Sequence, residues 1–182
     1  MGALLCHVGS EVEWRVTEDM RENSEVLRKS VDDMARALAH FHALFVRESV
    51  AVLGESEGRK LVERVVARFG EERGRRIREE VLRHGKELTC ETLAEHYDLP
   101  LHFAWKAMKR ENGSDITYCP MCEEWKEKGM VEEGELYCAI DFAIARGFSE
   151  NLTFSRSATL MKGDSCCCHR YGETPSSAGC GS

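Results

Sequence analysis

The 182-residue sequence has no apolar run approaching the roughly eighteen residues needed to cross a bilayer, and its opening MGALLCHVGS has no basic segment ahead of a signal-length apolar core. These absences exclude a membrane span and point to a soluble, cytoplasmic protein. A basic excess is missing too. Lys and Arg total 25 against 32 Asp and Glu, a formal charge of -7 with a pI near 5.6, which excludes the positive stripe of a nucleic-acid-binding protein. Acids and bases alternate along the chain as on a solvated surface, and no internal repeat is present. Cysteine, by contrast, is plentiful at nine residues, seven of them after Leu101 beside histidine and acids. That placement favours reduced thiols, metal ligands or a nucleophile over the disulfide framework of a short secreted chain.

The length suits one domain with a real hydrophobic core. Leu27, Val31, Met34, Leu38, Phe41 and Phe45 recur in steps of four and three, the apolar stripe of a long amphipathic helix over about 23–53. That stripe also suits packing against a second copy, so a homodimer through this helix is one partner expectation. Gly54 and Gly58 punctuate the pattern, and Leu61, Val62, Val65, Val66 and Phe69 begin a second helix. Gly70 and Gly74 either kink it or let another backbone approach. A third helix spans about 91–97 and ends before Pro100. From Leu101 the period becomes two: Leu101, Phe103, Trp105 and Ala107 read as a strand, Asn112-Gly113 as a hairpin turn, and Ile116 and Tyr118 as its return. A short helix opens at Pro120, another covers about 133–146 with Gly147 as its stop, and strands over about 152–161 and 166–171 flank a Lys162-Gly163-Asp164 turn. The expected fold class is α+β: a helical part over 1–100, an antiparallel sheet with two inserted helices over 101–171 that bears the site, and a flexible tail over 172–182.

Arg156 shares a strand face with Leu152, Phe154, Ala158 and Leu160, so a guanidinium points to the apolar side and needs an anionic partner. Asp141 or Asp164 could be that partner structurally, or the carboxylate of a small ligand could fill the role. Cys138 and Asp141 are three apart on a helix and project from one face, with the aspartate placed to orient a thiol, a substrate nitrogen or Arg156. On the last strand Cys167 and His169 take one face, and Cys166 and Cys168 the other. Thiol and imidazole at that spacing serve as nucleophile and base, or as two metal ligands. Cys119-Pro-Met-Cys122 has zinc-knuckle spacing but no second C-x2-C follows. A single zinc ion at this pair would have to complete the set Cys119, Cys122, Cys138 and Cys167, or take the rest of its ligands from the Cys166 to Cys168 run with His169. Cys119 equally suits a reactive thiol at the start of a helix, where the dipole lowers its pKa, or an inert buried one. His40 and His42, two apart on a helix, do not share a face. Arg73, Arg75, Arg76 and Arg78, interleaved with glutamates, read as an exposed helix with ion pairs.

The run YCAIDFAIARGFSENLTFSRSATLMKGDSCCCHRY carries Cys138-x2-Asp141, Gly147-Phe148, the strand arginine Arg156, and Gly163-Asp164-x2-Cys167-x2-Arg170. This spacing, with Cys119-Pro120 upstream, resembles the C-terminal half of the L-2-amino-thiazoline-4-carboxylic acid hydrolase family over roughly residues 115 to 171. Two positions depart from the family pattern: an acid and an aromatic that usually follow the cysteine are here Cys168 and His169. The resemblance implies a hydrolase that opens a cyclic amidine at a C–N bond, toward a carbamoyl-cysteine. Read with it, Cys167, Asp141 and Cys138 are the expected catalytic residues, joined by His169 as the imidazole neighbour of Cys167 on its strand face, and Arg156, Asp164 and Cys119 are expected around a carboxylate-bearing small substrate. The excess of cysteine supports a rival expectation, a metal-binding or thiol-sensing module that binds a small ligand without turnover.

Overall fold

The computed structural model describes residues 18–173, with side chains from residue 23. The expected flexible tail thus lies outside the described residues except for Gly172 and Glu173, which end the last strand. Two long helices come first, α1 (Glu18–Leu53) and α2 (Glu55–Arg83), joined by the single residue Gly54 at φ 81°. Positive φ suits glycine and lets the chain reverse in one residue. A short α3 (Cys90–Glu95) starts from a capping box in which Thr89 accepts from the Thr92 N–H and Thr92 accepts from the Thr89 N–H. Then follow β1 (Lys106–Arg110), β2 (Gly113–Tyr118), α4 (Pro120–Glu127), α5 (Val131–Cys138), α6 (Ile140–Phe148), β3 (Leu152–Arg156) and β4 (Cys167–Glu173). The four strands form an antiparallel sheet in the order β1-β2-β4-β3. The α+β class holds, and among the described residues no helix is long and apolar enough to cross a membrane.

Gly70 and Gly74 do not kink α2; they admit the backbone of α6. A Cβ on Gly74 would lie 2.2 Å from the carbonyl oxygen of Ile144, and one on Gly147 would lie 2.3 Å from that of Glu71. Gly147 therefore serves helix contact, and α6 runs one residue past it to Phe148. Around this contact Val62, Val66, Ile77, Val81, Ile140, Ile144, Phe148 and Leu152 form one buried cluster. A second cluster gathers Ala35, Ala39 and Ala43 of α1 with Met121, Cys122, Trp125, Met130, Leu160 and Met161. The Trp125 indole N–H donates to the Ala39 carbonyl at 2.8 Å, satisfying the one polar atom of the largest buried side chain.

Several elements differ from the sequence expectation. The face of α1 that meets the body is the alanine face, with His42, Val46 and Ser49, because small side chains let the other helices approach. The larger residues of the expected stripe look outward: Met34 is 73% exposed and Phe41 67%. Leu101–Phe103 is a 3-10 turn rather than strand, with Ala104 and Trp105 N–H both donating to the Leu101 carbonyl. The hairpin turns at Glu111 and Asn112, and Gly113 already lies in β2, where a Cβ would meet the His169 carbonyl oxygen at 2.2 Å. The helix expected over 133–146 is two helices broken at Ala139, so three helices, not two, are inserted between β2 and β3. The strand expected to reach Met161 ends at Arg156, and Leu160–Lys162 is a second 3-10 turn. Arg73 is not on an exposed face; at 3% exposure it forks onto Asp98, with its guanidinium over the rings of Phe69 and Tyr97.

Because the atoms opposing Gly74 are backbone rather than a flexible side chain, Gly74→Ala must push α2 from α6. We expect it to lower unfolding free energy by about 3 kcal/mol, read as a reduced denaturant midpoint. An unchanged midpoint would mean that the two helices do not meet backbone to backbone.

Candidate active site

The break at Ala139 creates the electrostatic centre of the site. It ends α5 at Cys138, leaving that residue's carbonyl without a helical donor, and puts Asp141 in the first turn of α6. Arg156, at the end of β3, fills the gap: its Nη1 donates to the Cys138 oxygen at 2.9 Å and to Asp141 Oδ2 at 3.3 Å. A cation at one helix's C-terminus and an anion at the next helix's N-terminus each match the helix dipole. The guanidinium also lies 5.7 Å from the Phe142 ring centroid. Among the described residues no protein acceptor takes Nε or Nη2 of Arg156, so that side of the fork is open. Alternation along β3 does turn Leu152, Phe154 and Arg156 inward, as the sequence suggested.

Arg156 borders a cleft of about 300 Å³ with Cys138, Asp164, Glu135, Phe142 and Thr159 among its walls. Of the site residues expected from sequence, Cys138, Arg156 and Asp164 line this space directly. Asp164 is also engaged structurally, since its Oδ2 accepts the Thr159 N–H at 2.8 Å and closes the turn after β3. Asp141 stands behind the guanidinium, with His169 Nε2 3.8 Å from its Oδ2. His169 packs edge-on to Phe154 at 5.0 Å, and burial holds its imidazole below the ordinary value of 6.5 despite the carboxylate. Cys167 sits behind the Thr159–Leu160 backbone: the Leu160 N–H donates to its sulfur at 3.3 Å, and Thr159 Oγ1 lies 3.7 Å away. Glu135, Phe142 and Lys162 line the cleft without having been singled out from sequence. The signal for Glu135 was its position three before Cys138 on one helix face; nothing local marks the other two.

Cys119, Cys138 and Cys167 all pack against the cluster around Trp125. They differ in what surrounds the sulfur. Cys119 does precede α4, with Pro120 at its first position, yet its side chain makes no cap hydrogen bond. Burial outweighs the nearby N–H groups and pushes its thiol up to about 12, not down as the dipole alone would. Burial likewise raises Cys122 to about 11, and lifts Cys138, beside Asp141, well above the usual thiol range. These three are neutral thiols at pH 7. No three of Cys119, Cys122, Cys138 and Cys167 have their sulfurs within 4.8 Å of one another; among the described residues the sets of potential ligands that close are Asp115–Cys166–Cys168 and Glu80–His84–His96.

Cys166 and Cys168 lie on the opposite sheet face, sulfurs 3.1 Å apart. Across the pairing of β2 and β4 is Asp115, held by Arg170 at 2.7 Å and by Arg110, which keep its carboxyl below the usual range. Alternation thus separates the two thiol groups as expected.

The family model described as L-2-amino-thiazoline-4-carboxylic acid hydrolase matches residues 32–171. The chain belongs to this family. The match begins in α1 and ends in β4, so it takes in both helical and sheet parts and every residue of the cleft. No curated protein and no solved structure matches the chain. The C-x2-D element of this family member is the pair that straddles the Ala139 break, and its strand arginine is the residue that bridges it.

Two buried imidazoles give the protein an acid-side stability slope. His42, whose ring contacts the Glu133 carbonyl at 3.1 Å, and His169 are both held below 6.5 by burial. On acidification the unfolded chain takes up these protons first, so the unfolded state binds more protons in this window. The contribution of the two histidines should be level above pH 6.5 and fall as the pH drops toward the folded-state values. Thermal unfolding across this range tests it: His169→Asn should flatten part of the slope. An equally steep slope in both His169→Asn and His42→Gln would contradict the assignment.

Proposed function

We propose that the cleft binds a small cyclic amidine bearing a carboxylate and hydrolyses its ring C–N bond, a 2-aminothiazoline carboxylate being the substrate class named by the family. The observation that carries this reading is Arg156: a half-buried guanidinium on the cleft wall, anchored through Nη1 alone, with its Nε and Nη2 donors free for a carboxylate. A cleft of about 300 Å³ suits a five-membered ring with one substituent. The amidinium end of such a substrate needs an anion, and Glu135, Asp141 and Asp164 supply negative charge around the same space.

In the proposed reaction the Cys167 thiol passes its proton to the neutral His169 imidazole as its sulfur adds to the amidine carbon. The C–N bond to the ring nitrogen then breaks as that nitrogen takes a proton from His169. Water next adds to the same carbon, giving up a proton to the neutral imidazole, and the enzyme thiolate leaves. The net change is addition of one water, with a carbamoyl group left on the substrate sulfur and a free amine. Asp141 orients His169 and Arg156. Cys138, neutral and on the cleft wall, serves as a donor to the substrate rather than as a nucleophile.

A second reading has its own observation. The Cys166–Cys168 pair beside Asp115 is unused by the hydrolase, and two sulfurs 3.1 Å apart suit a soft metal ion or a thiol sensor. Metal analysis with thiol titration on the reduced protein separates the two. One fast-reacting thiol, with no thiol protected by metal, supports the hydrolase, and metal that protects thiols without amidine turnover supports the sensor.

With aminothiazoline carboxylate as substrate, Arg156→Lys should raise KM by about tenfold or more, since a point charge replaces a planar fork, while leaving kcat less affected. Cys167→Ser should abolish turnover while the thermal midpoint stays near wild type. Full turnover in Cys167→Ser would remove the thiol from the mechanism.

A further inference from the structure

At the far end of α2, away from the elements that wall the cleft, Glu80 and His84 lie one helical turn apart and His96 closes α3 against them. One donor atom from each of the three lies within 4.8 Å of the others. Their present contacts are simple: His84 Nε2 is 3.0 Å from Glu80 Oε1, and Arg83 holds the second carboxylate oxygen. These contacts leave one atom unexplained. His96 Nε2 is the single buried side-chain nitrogen or oxygen among the described residues with no hydrogen-bond partner. Buried polar atoms are ordinarily satisfied, and an orphan calls for a missing partner.

We infer that Glu80, His84 and His96 form a binding site for a divalent transition-metal ion of the zinc class. Two imidazoles and one carboxylate are a ligand set that zinc and its neighbours accept, with water completing the shell. Ring spacing agrees with this. Two imidazoles on one tetrahedral ion, with metal–nitrogen bonds near 2.1 Å, put their ring centroids roughly 5 Å apart. The His84 and His96 centroids are 5.1 Å apart. The side chains of His84 and Glu80 are 54% and 39% exposed, so a change of rotamer can draw their donors onto an ion without disturbing the core. The bound ion would clip the end of α2 to α3 across the 84–89 connection, and would turn the orphaned imidazole into a ligand. No residue of α2 or α3 lines the cleft, so the site is independent of the proposed hydrolase chemistry.

The test is cobalt(II) titration of the full, reduced chain, followed by visible absorption and thermal unfolding. The expected result is a ligand-field spectrum without a sulfur-to-cobalt charge-transfer band, together with a raised thermal midpoint. His84→Ala, at an exposed position that leaves the fold intact, should bind at least about tenfold more weakly, the smallest loss ordinarily seen even for an outer-shell change. His96→Gln should do the same, while Cys166→Ser should bind as wild type. Absence of binding would overturn the inference. So would wild-type affinity in His84→Ala, or a thiolate band that disappears in Cys166→Ser, which would place the metal on the outer sheet face instead.

Discussion

Backbone contact between α2 and α6 is the constraint on which the cleft depends. With Gly70 and Gly74 on one helix and Gly147 on the other, the helices approach until main-chain atoms oppose Gly74 and Gly147 and the Ala143 methyl opposes Gly70, which leaves little room for adjustment by a change of rotamer. Helix α6 is in turn packed against β3, so its first turn, with Asp141 and Phe142, is clamped between α2 and the sheet. Arg156 projects from β3 into that clamped turn. A displacement of α6 by a fraction of an ångström would pull Asp141 and the Cys138 carbonyl away from the same guanidinium nitrogen.

The helix break at Ala139 converts this packing into electrostatics. A continuous helix over 133–146 would have consumed the Cys138 carbonyl in its own hydrogen bonding and left Arg156 with one acceptor fewer. Ending α5 there supplies a carbonyl with the negative end of a helix dipole behind it, and starting α6 one residue later supplies the opposite end to stabilise Asp141. Both anchors fall on Nη1, so the arginine is held without being used up. The same apolar packing that makes the pair strong suppresses ionisation of the adjoining thiols, so that Cys119, Cys122 and Cys138 remain neutral around it.

Much of this was legible in the chain because two periodicities carry it. The period of two gave Arg156 its inward direction and divided Cys167 and His169 from Cys166 and Cys168, and the observed pairing of β4 with β2 and β3 agrees. The family spacing covered the sheet half, which is where the cleft's arginine and aspartates lie. What the sequence concealed were decisions made by distant partners. No glycine or proline marks the Ala139 break. Arg73 looked like its exposed neighbours because Asp98, Tyr97 and Phe69, which bury it, are assembled by the fold. In α1 the period located the apolar residues correctly but not the face that is buried: helices that approach closely select alanine, and Ala35, Ala39 and Ala43 went inside while Met34 and Phe41 went out.

The excess of cysteine, which argued against a simple hydrolase in the bare sequence, loses that force once the sheet is seen to partition it. A hydrolase of the proposed kind needs one thiol able to ionise. Among the inner cysteines Cys119, Cys122 and Cys138 are held neutral by burial, and Cys167 receives the Leu160 N–H at its sulfur. On the other face, Cys166 and Cys168 are neighbours of Asp115, Arg110 and Arg170 in a polar patch, none of whose residues lines the cleft. Chemistry at that pair, whether oxidation or capture of a soft metal, would therefore reach the cleft only by moving β4, whose next residue in each case is a site residue: Cys167 between them and His169 after them. The two populations are chemically separate but mechanically joined, and a strand with this alternation allows catalysis on one face and sensitivity to thiol reagents on the other without either residue set substituting for the other.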